Sequence, residues 1–230
     1  GFYSDRNMHA GSGEFMPDED IALSIRKITA KGASRVARAA FALARGRRKK
    51  VTAVHKANVL KLSDGLFLRE VRKVAAEFPD VALEEIIVDA AAALLIRSPD
   101  RFDVIVTTNM FGDILSDEAS ELSGSLGLGG SINAGDDICV AQAQHGSAPD
   151  IAGKGVANPT SLILSAAMLL DWLGRRHGRG DFSMAAATLE AAVEDVLGNP
   201  ATRTRDIGGT LGTAEFGEAV CNAVRARGKP

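Results

Sequence analysis

The stretch FDVIVTTNMFGDILSDEASEL, residues 102–122, decides the fold class because its periodicity changes in the middle. Residues 102–107 are mostly apolar and β-branched, which is typical of a buried strand. Residues 110–122 then carry apolar side chains at helical spacing. A buried strand that leads directly into a helix is the building unit of an α/β fold.

Two similar units precede this stretch. Residues 51–54 are a β-branched run, and the helical pattern that follows ends before Pro79. Residues 81–88 favour a second strand, although Glu84 and Glu85 leave a helix open there. The alternation of strands and helices predicts an α/β fold with a mixed or parallel sheet.

The remaining segments are assigned from the same signals. Residues 18–45 have apolar side chains near helical spacing, which predicts one or two helices. Ser63 and Asp64 are residue types that cap the start of a helix, here one that continues to Phe78. Beyond residue 122 the pattern predicts a short strand at 138–141 and helices at 159–173, 184–197 and 215–224.

Composition excludes several function classes. The chain has 230 residues, which at about 150 per domain fits one large or two small lobes. Apolar residues make up 46% and charged residues 24%, so a folded core is expected rather than disorder. A net charge of −2 provides no general attraction to polyanions, and no segment is long and apolar enough to span a bilayer. We therefore expect neither a nucleic-acid nor a membrane partner.

The cysteines indicate the compartment. Cys139 and Cys221 are far apart in sequence and cannot form a disulfide framework, which favours reduced thiols and a cytoplasmic location. The chain begins at Gly1 without an initiator methionine or a signal-peptide pattern, and we expect it to be a fragment.

Three aspartates are candidate metal ligands. Asp113 and Asp117 are four positions apart and project from one face of the predicted helix. Asp89 stands at a second strand-to-helix junction. Carboxylate oxygens are preferred ligands of Mg²⁺, but acidic residues also stabilise a helix N-terminus, so both interpretations stay open at this point.

Lys56 is the candidate acid/base group. It lies with His55 at the end of the predicted strand 51–54. A nearby metal and partial burial would bring a lysine pKa into the range that proton abstraction requires, whereas a surface charge is the alternative for an isolated lysine. His55 is interpreted as structural.

Residues 145–155, HGSAPDIAGKG, form a loop of small residues that lets a ligand approach the backbone. Neither a G-x-G-x-x-G nor a P-loop pattern is present there. The residues alone thus support a metal-dependent α/β enzyme and go no further.

Five ordered motifs make the assignment specific. The chain resembles the β-decarboxylating dehydrogenases, which include isopropylmalate, isocitrate, homoisocitrate and tartrate dehydrogenases. It is most similar to the isopropylmalate and tartrate types. The motifs are VHKANVL, VDA, TTNMFGDILSDEAS, GSLGL and HGSAPDIAGKGVANP, and the similarity covers nearly the whole chain.

The resemblance implies a two-lobed isocitrate/isopropylmalate dehydrogenase-like α/β fold with mixed parallel and antiparallel sheets. It implies that Mg²⁺ or Mn²⁺ is held by Asp89, Asp113 and Asp117, with Lys56 and Tyr3 as acid/base groups. Lys56 would take the proton of the substrate 2-hydroxyl, and Tyr3 would protonate the enol carbon after loss of CO₂.

The resemblance also implies how a dinucleotide binds. Asn109 would lie toward the nicotinamide ribose, and the adenosine side would be lined by His145, Gly146, Ser147, Ala148, Asp150, Ile151 and Asn158. Asp150 favours NAD over NADP, because a carboxylate accepts hydrogen bonds from ribose hydroxyls and repels a 2′-phosphate.

Two departures from the family pattern are visible. Gln142 replaces the glutamate that usually precedes the adenine loop. The family's first strands, early cofactor contacts and substrate-binding arginines should precede Gly1, so the first lobe is expected to be incomplete. Residues 1–123 would form the substrate, metal and dimerisation lobe, and residues 124–230 part of the dinucleotide-binding lobe.

The predicted activity is that of an NAD-dependent, oxidatively decarboxylating 2-hydroxy acid dehydrogenase that acts on a substituted malate, most closely of the 3-isopropylmalate type. Tartrate or malate, isocitrate or homoisocitrate, and a non-catalytic regulatory subunit are the alternatives. The family resemblance implies a homodimer with shared active sites. In it, Lys56 and Asp89 reach Asp113 and Asp117 of the other subunit, and residues 4–17 help form an arm around the partner.

Overall fold

The computed structural model describes residues 13–228, which divide into two compact units. The first unit ends at Glu118 and the second begins at Ala119. Tyr3, one of the predicted acid/base groups, lies outside the described residues. Within the described part of the chain, no helix is long and apolar enough to cross a membrane.

A parallel sheet forms the centre of the first unit. Its strands are β3 (Lys50–His55), β4 (Ala82–Ile87) and β5 (Val104–Val106), in the order β4-β3-β5. All three were predicted as strands. Because the strands are parallel, their carboxyl ends meet at one edge of the sheet.

The helical alternative for residues 81–88 is excluded by β4. Glu84 forms an ion pair with Lys50 of the neighbouring strand, with 2.9 Å between nitrogen and oxygen. Glu85 forms another with Arg72, at 2.6 Å. These cross-element pairs make two consecutive glutamates compatible with a strand.

Helices cover both faces of this sheet. The elements are α1 (Ala30–Arg45), α2 (Ser63–Ala75), α3 (Val88–Arg97) and α4 (Asn109–Ser123). Successive side chains of β3 point to opposite faces, as in any strand. Val51 and Ala53 pack in one cluster with Phe41 and Phe67, and Val54 packs in the other with Ala91, Leu95, Phe102 and Leu115.

The prediction of helix across residues 18–45 was wrong for residues 18–29. β1 (Glu14–Asp18) and β2 (Ile21–Ser24) form an antiparallel hairpin, and helix begins only at Ala30. Thr29 is the residue that starts α1, because its side chain accepts a hydrogen bond from the Gly32 N–H. The apolar residues before it alternate as in a strand.

The predicted cap of α2 was also wrong. The N-cap position is Leu62, whose side chain makes no capping hydrogen bond. Asp64 instead turns inward and is fully buried. A buried carboxylate requires polar partners, and those of Asp64 are described below.

The second unit combines a hairpin with three helices. β6 (Gly130–Ala134) pairs with β7 (Cys139–Ala143), and α5 (Thr160–His177), α6 (Gly180–Gly198) and α7 (Thr213–Arg227) follow. The helices share a core in which Val193 and Phe216 are almost completely buried. Strand β6 was not predicted, since its sequence GSINA resembles a loop.

Candidate active site

Lys56 and Asp89 meet at the carboxyl edge of the parallel sheet. The register pairs His55 with Ile87, so the residues that follow β3 and β4 are neighbours. The Lys56 Nζ lies 2.7 Å from Asp89 Oδ1, with side chains that are 27% and 61% exposed. The hydrogen bond from Lys56, together with backbone N–H groups at the start of α3, lowers the pKa of Asp89. The pair is therefore an ion pair that is open to solvent.

His55 has the structural role that the sequence indicated. Its Nδ1 accepts a hydrogen bond from the Ala57 N–H at 3.0 Å, which stabilises the turn after β3. Burial lowers the pKa of His55, and the nearby Glu85 only partly opposes this effect. A neutral imidazole with an occupied Nδ1 is suited to holding the backbone beside Lys56.

Asp113 and Asp117 are exposed and lie one turn apart on α4, and neither is without an interaction partner. Among residues 13–228 of one chain, no group of three histidine, cysteine or acidic side chains is close enough to hold a metal ion. One chain thus brings Asp89 to Lys56, and Asp113 to Asp117, but does not gather the three aspartates.

Asn109 occupies the first position of α4, where its Oδ1 accepts a hydrogen bond from the Met110 N–H at 3.0 Å. Together with Thr107 and Thr108 it lines a cavity of about 320 Å³ beside the start of α1. The predicted nicotinamide contact is thus an exposed residue next to a concave surface.

The predicted adenosine loop is exposed and built of small residues. Gly146, Ser147 and Asp150 are exposed, and residues Pro149–Ile151 form a single 3₁₀ turn. Ala148 begins this turn with φ of 43°, a left-handed conformation that is unfavourable for a residue with a Cβ. Such strain is found where a ligand site fixes the backbone.

The loop is anchored at its far end by the start of α7. The Thr213 N–H donates to the Gly155 carbonyl at 2.8 Å, and the Thr213 hydroxyl donates to the Ala157 carbonyl at 2.5 Å. The loop therefore has a fixed far end and an exposed middle.

Asn158 was predicted to line the adenosine side of the dinucleotide, but its side-chain amide makes hydrogen bonds within the protein. Its Nδ2 donates to Asp206 Oδ2 at 3.0 Å, and its Oδ1 accepts from the Thr160 N–H at 3.0 Å. Because both ends of the side-chain amide are used within the protein, the backbone of Asn158 is the part suited to a ligand.

Asp206 was not singled out from the sequence. The same carboxylate oxygen that accepts from Asn158 also accepts from the Ser125 hydroxyl, at 2.6 Å. Burial opposes ionisation, but the hydrogen bonds from Ser125 and Asn158 outweigh it, so the pKa of Asp206 is lowered. This carboxylate connects the GSLGL turn with the end of the predicted adenosine loop.

The GSLGL motif itself has a packing role. A Cβ on Gly127 would lie 2.9 Å from the Asn158 Cβ, closer than two such atoms approach.

Gln142, the departure from the family pattern, has an exposed side chain. Its backbone carbonyl accepts a hydrogen bond from the Ser165 hydroxyl at 2.7 Å.

Comparison with known protein families matches residues 1–220 to the family described as isocitrate/isopropylmalate dehydrogenase. The chain belongs to this family. The isocitrate/homoisocitrate dehydrogenase of Thermus thermophilus is 51% identical over 208 residues, which are 90% of this chain and 60% of that protein. The 3-isopropylmalate/3-methylmalate dehydrogenase of Methanocaldococcus jannaschii is 48% identical over 90% of this chain and 62% of its own length.

Solved structures confirm the predicted fold class. The crystal structure of isocitrate dehydrogenase from Methylococcus capsulatus superposes with a TM-score of 0.82 at 45% identity. The superposition covers 91% of this chain and 60% of the other. The chain thus has the isocitrate/isopropylmalate dehydrogenase fold and spans about 60% of the length of these relatives.

Proposed function

We propose that the complete gene product oxidises the 2-hydroxyl of a substituted malate with NAD and then releases the 3-carboxylate as CO₂. The observation that carries the proposal is the Lys56–Asp89 pair, with 2.7 Å between Nζ and Oδ1, at the sheet edge of a chain from this family. The pair places a proton-transferring amine beside a carboxylate where ligands of parallel sheets bind.

Lys56 is proposed to act as the base. Asp89 fixes the position of the Lys56 nitrogen, and the structural turn around His55 fixes the backbone. Once unprotonated, the amine takes the proton from the substrate 2-hydroxyl while the hydride leaves for the nicotinamide. Tyr3 is retained as the proposed proton donor to the enol carbon.

The proposed metal ligands are Asp113 and Asp117 of one chain with Asp89 of another. All three are exposed carboxylates, and this oxygen donor set suits Mg²⁺ or Mn²⁺. When bound, a divalent cation supplies Lewis-acid polarisation of the hydroxyl and carboxylate oxygens.

A homodimer with shared sites is supported by two observations. The aspartates do not form a metal-binding cluster within the described residues of one chain. Every residue of the β1 and β2 strands is exposed, including Phe15, Met16, Ile21 and Leu23. Residues 14–17 of the proposed arm lie in β1, whereas residues 4–12 lie outside the described part of the chain. The exposed apolar side chains of β1 and β2 fit a surface that packs against a partner subunit.

The enzymes of this family differ in substrate, and we retain two candidate substrates for this protein. A 3-isopropylmalate-type substrate is the first. Isocitrate or homoisocitrate is the second, favoured by the name of the relative that is 51% identical. A cytoplasmic location and the absence of nucleic-acid and membrane partners remain predictions.

The activity is tested on the complete gene product with a panel of 3-isopropylmalate, isocitrate, homoisocitrate, tartrate and malate. We expect NADH formation with at least one 3-substituted malate, CO₂ release in equal amount, and loss of both after EDTA treatment until Mg²⁺ or Mn²⁺ is restored. Turnover that is unaffected by EDTA would contradict the metal role. A folded protein that binds NAD but turns over none of the panel would favour the regulatory-subunit alternative.

Cofactor preference is testable in the adenosine loop. Replacing Asp150 with Lys and Ile151 with Tyr removes the carboxylate and offers a partner for a 2′-phosphate. We expect the ratio of kcat/KM for NADP to that for NAD to rise by roughly tenfold or more, the effect of about 1.4 kcal/mol. The exposed Glu190→Lys change on α6 alters charge equally and should leave the ratio unchanged. An unchanged ratio in the loop variant would show that the adenosine ribose binds elsewhere.

A further inference from the structure

A buried ion pair lies beneath the Lys56–Asp89 edge. Asp64, in the first turn of α2, has a side chain with no exposed surface, and Arg26 has one that is 8% exposed. The Arg26 Nη1 donates to Asp64 Oδ1 at 2.5 Å. The sequence did not indicate this pair: Asp64 was predicted to be a helix cap, and no motif marked Arg26.

The pair reaches the proposed base on one side. Asp64 Oδ2 accepts a hydrogen bond from the backbone N–H of Lys56 at 2.6 Å. The Lys56 N–H lies just beyond the last residue of β3, so Asp64 holds the backbone at the point from which the Lys56 side chain extends.

The pair reaches the start of α4 on the other side. The Arg26 Nη2 donates to Thr108 Oγ1 at 2.6 Å, and the Thr108 carbonyl accepts from the Gly112 N–H at 2.8 Å. The Arg26 guanidinium also lies over the Phe111 ring, 5.2 Å from its centroid. Arg26 thus fixes the first turn of the helix that carries Asn109, Asp113 and Asp117.

Stability alone is a poor reason for this arrangement. Desolvation of two charges offsets much of their attraction, and replacing a buried ion pair with apolar residues of similar size is often neutral or stabilising. Removing only one partner is strongly destabilising, because it leaves a buried charge unpaired. A role in placing the groups that the pair holds explains its position better.

We infer that Arg26 and Asp64 are positioning residues that hold the Lys56 backbone and the first turn of α4 in one geometry. The inference rests on the proposed function. A displacement of about 1 Å in an acting group can reduce turnover by about 10²-fold, so a rigid connection under both groups would matter for rate.

The test uses the complete gene product with its best substrate from the panel, in unlabelled and 2-deuterated forms. Asp64→Asn should lower kcat at least about tenfold, with a much smaller change in substrate KM and a larger deuterium isotope effect on kcat. Thr108→Val, which removes only the hydroxyl that Arg26 contacts, should raise the Mg²⁺ concentration needed for half-maximal rate. Glu77→Gln is the matched control, since it changes an exposed Arg38–Glu77 pair near the same helices and should alter none of these values.

A double variant separates positioning from folding. Arg26→Met with Asp64→Leu replaces the pair by apolar side chains and should melt at a higher temperature than Asp64→Asn, because it leaves no buried charge unpaired, while kcat stays low. Wild-type kcat, isotope effect and Mg²⁺ response in the folded double variant and in Thr108→Val would overturn the inference, even if Asp64→Asn does not fold. If Lys56→Ala is also fully active, the proposed role of Lys56 as the base fails. If Lys56→Ala is inactive while these variants behave as wild type, only the positioning role fails.

Discussion

Lys56→Ala should lower the kcat of the complete gene product by roughly 10²-fold or more, as expected when a positioned acid/base group is removed. The Lys56 Nζ is held by Asp89 at 2.7 Å, so the substitution removes the amine that lies at this edge of the sheet. Substrate KM should change much less, because the amine acts mainly on the proton that is transferred in the transition state and contributes little to substrate binding.

The same substitution has a second, independent consequence. The hydrogen bond from Lys56 is the main cause of the lowered pKa of Asp89. In Lys56→Ala the pKa of Asp89 should rise toward its ordinary range, which an NMR titration of its carboxyl carbon would record. Lys61→Ala removes an exposed lysine from the loop that follows and serves as the control for both measurements. A kcat that stays at the wild-type level would contradict the acid/base role and support the alternative that Lys56 is only a surface charge.

Strands with strong local signals were predictable from the sequence. Residues 51–54 and 104–106 are short runs rich in β-branched residues, and both are buried strands in the sheet. The strands that the sequence did not predict are explained by pairing with a neighbouring strand. Ile21–Ser24 becomes a strand because it pairs with β1, and β6 becomes one because it pairs with β7; partner strands of this kind override weak local preference.

The candidate site was predictable to the extent that its residues lie in local motifs. Lys56 and Asp89 follow strands that the sequence indicated, and parallel pairing then brings them together. Asp113 and Asp117 are neighbours by helical geometry alone.

The supporting residues were not predictable, because their partners are distant in sequence. Asp64 is 38 positions from Arg26, and Arg26 is 82 positions from Thr108. Asp206 is 48 positions from Asn158. A buried aspartate and a capping aspartate look alike in a sequence, and only the fold reveals which donors surround the carboxylate.

The most direct test of the shared-site arrangement is subunit mixing with the complete gene product. Lys56→Ala and Asp113→Ala proteins should each be nearly inactive. In a hybrid dimer, one site receives its lysine from the second chain and its aspartate from the first, so that site is intact. Random exchange makes half of the dimers hybrid, each with one intact site of two, which predicts about a quarter of the wild-type number of sites.

The matched control pairs Lys56→Ala with Asp89→Ala. These two residues contact each other within one chain, so the hybrid contains no site in which both are intact. That mixture should stay inactive while the first regains activity. If mass spectrometry shows full subunit exchange and the Lys56→Ala and Asp113→Ala mixture nevertheless remains inactive, each site lies within a single chain and the shared-site account is contradicted.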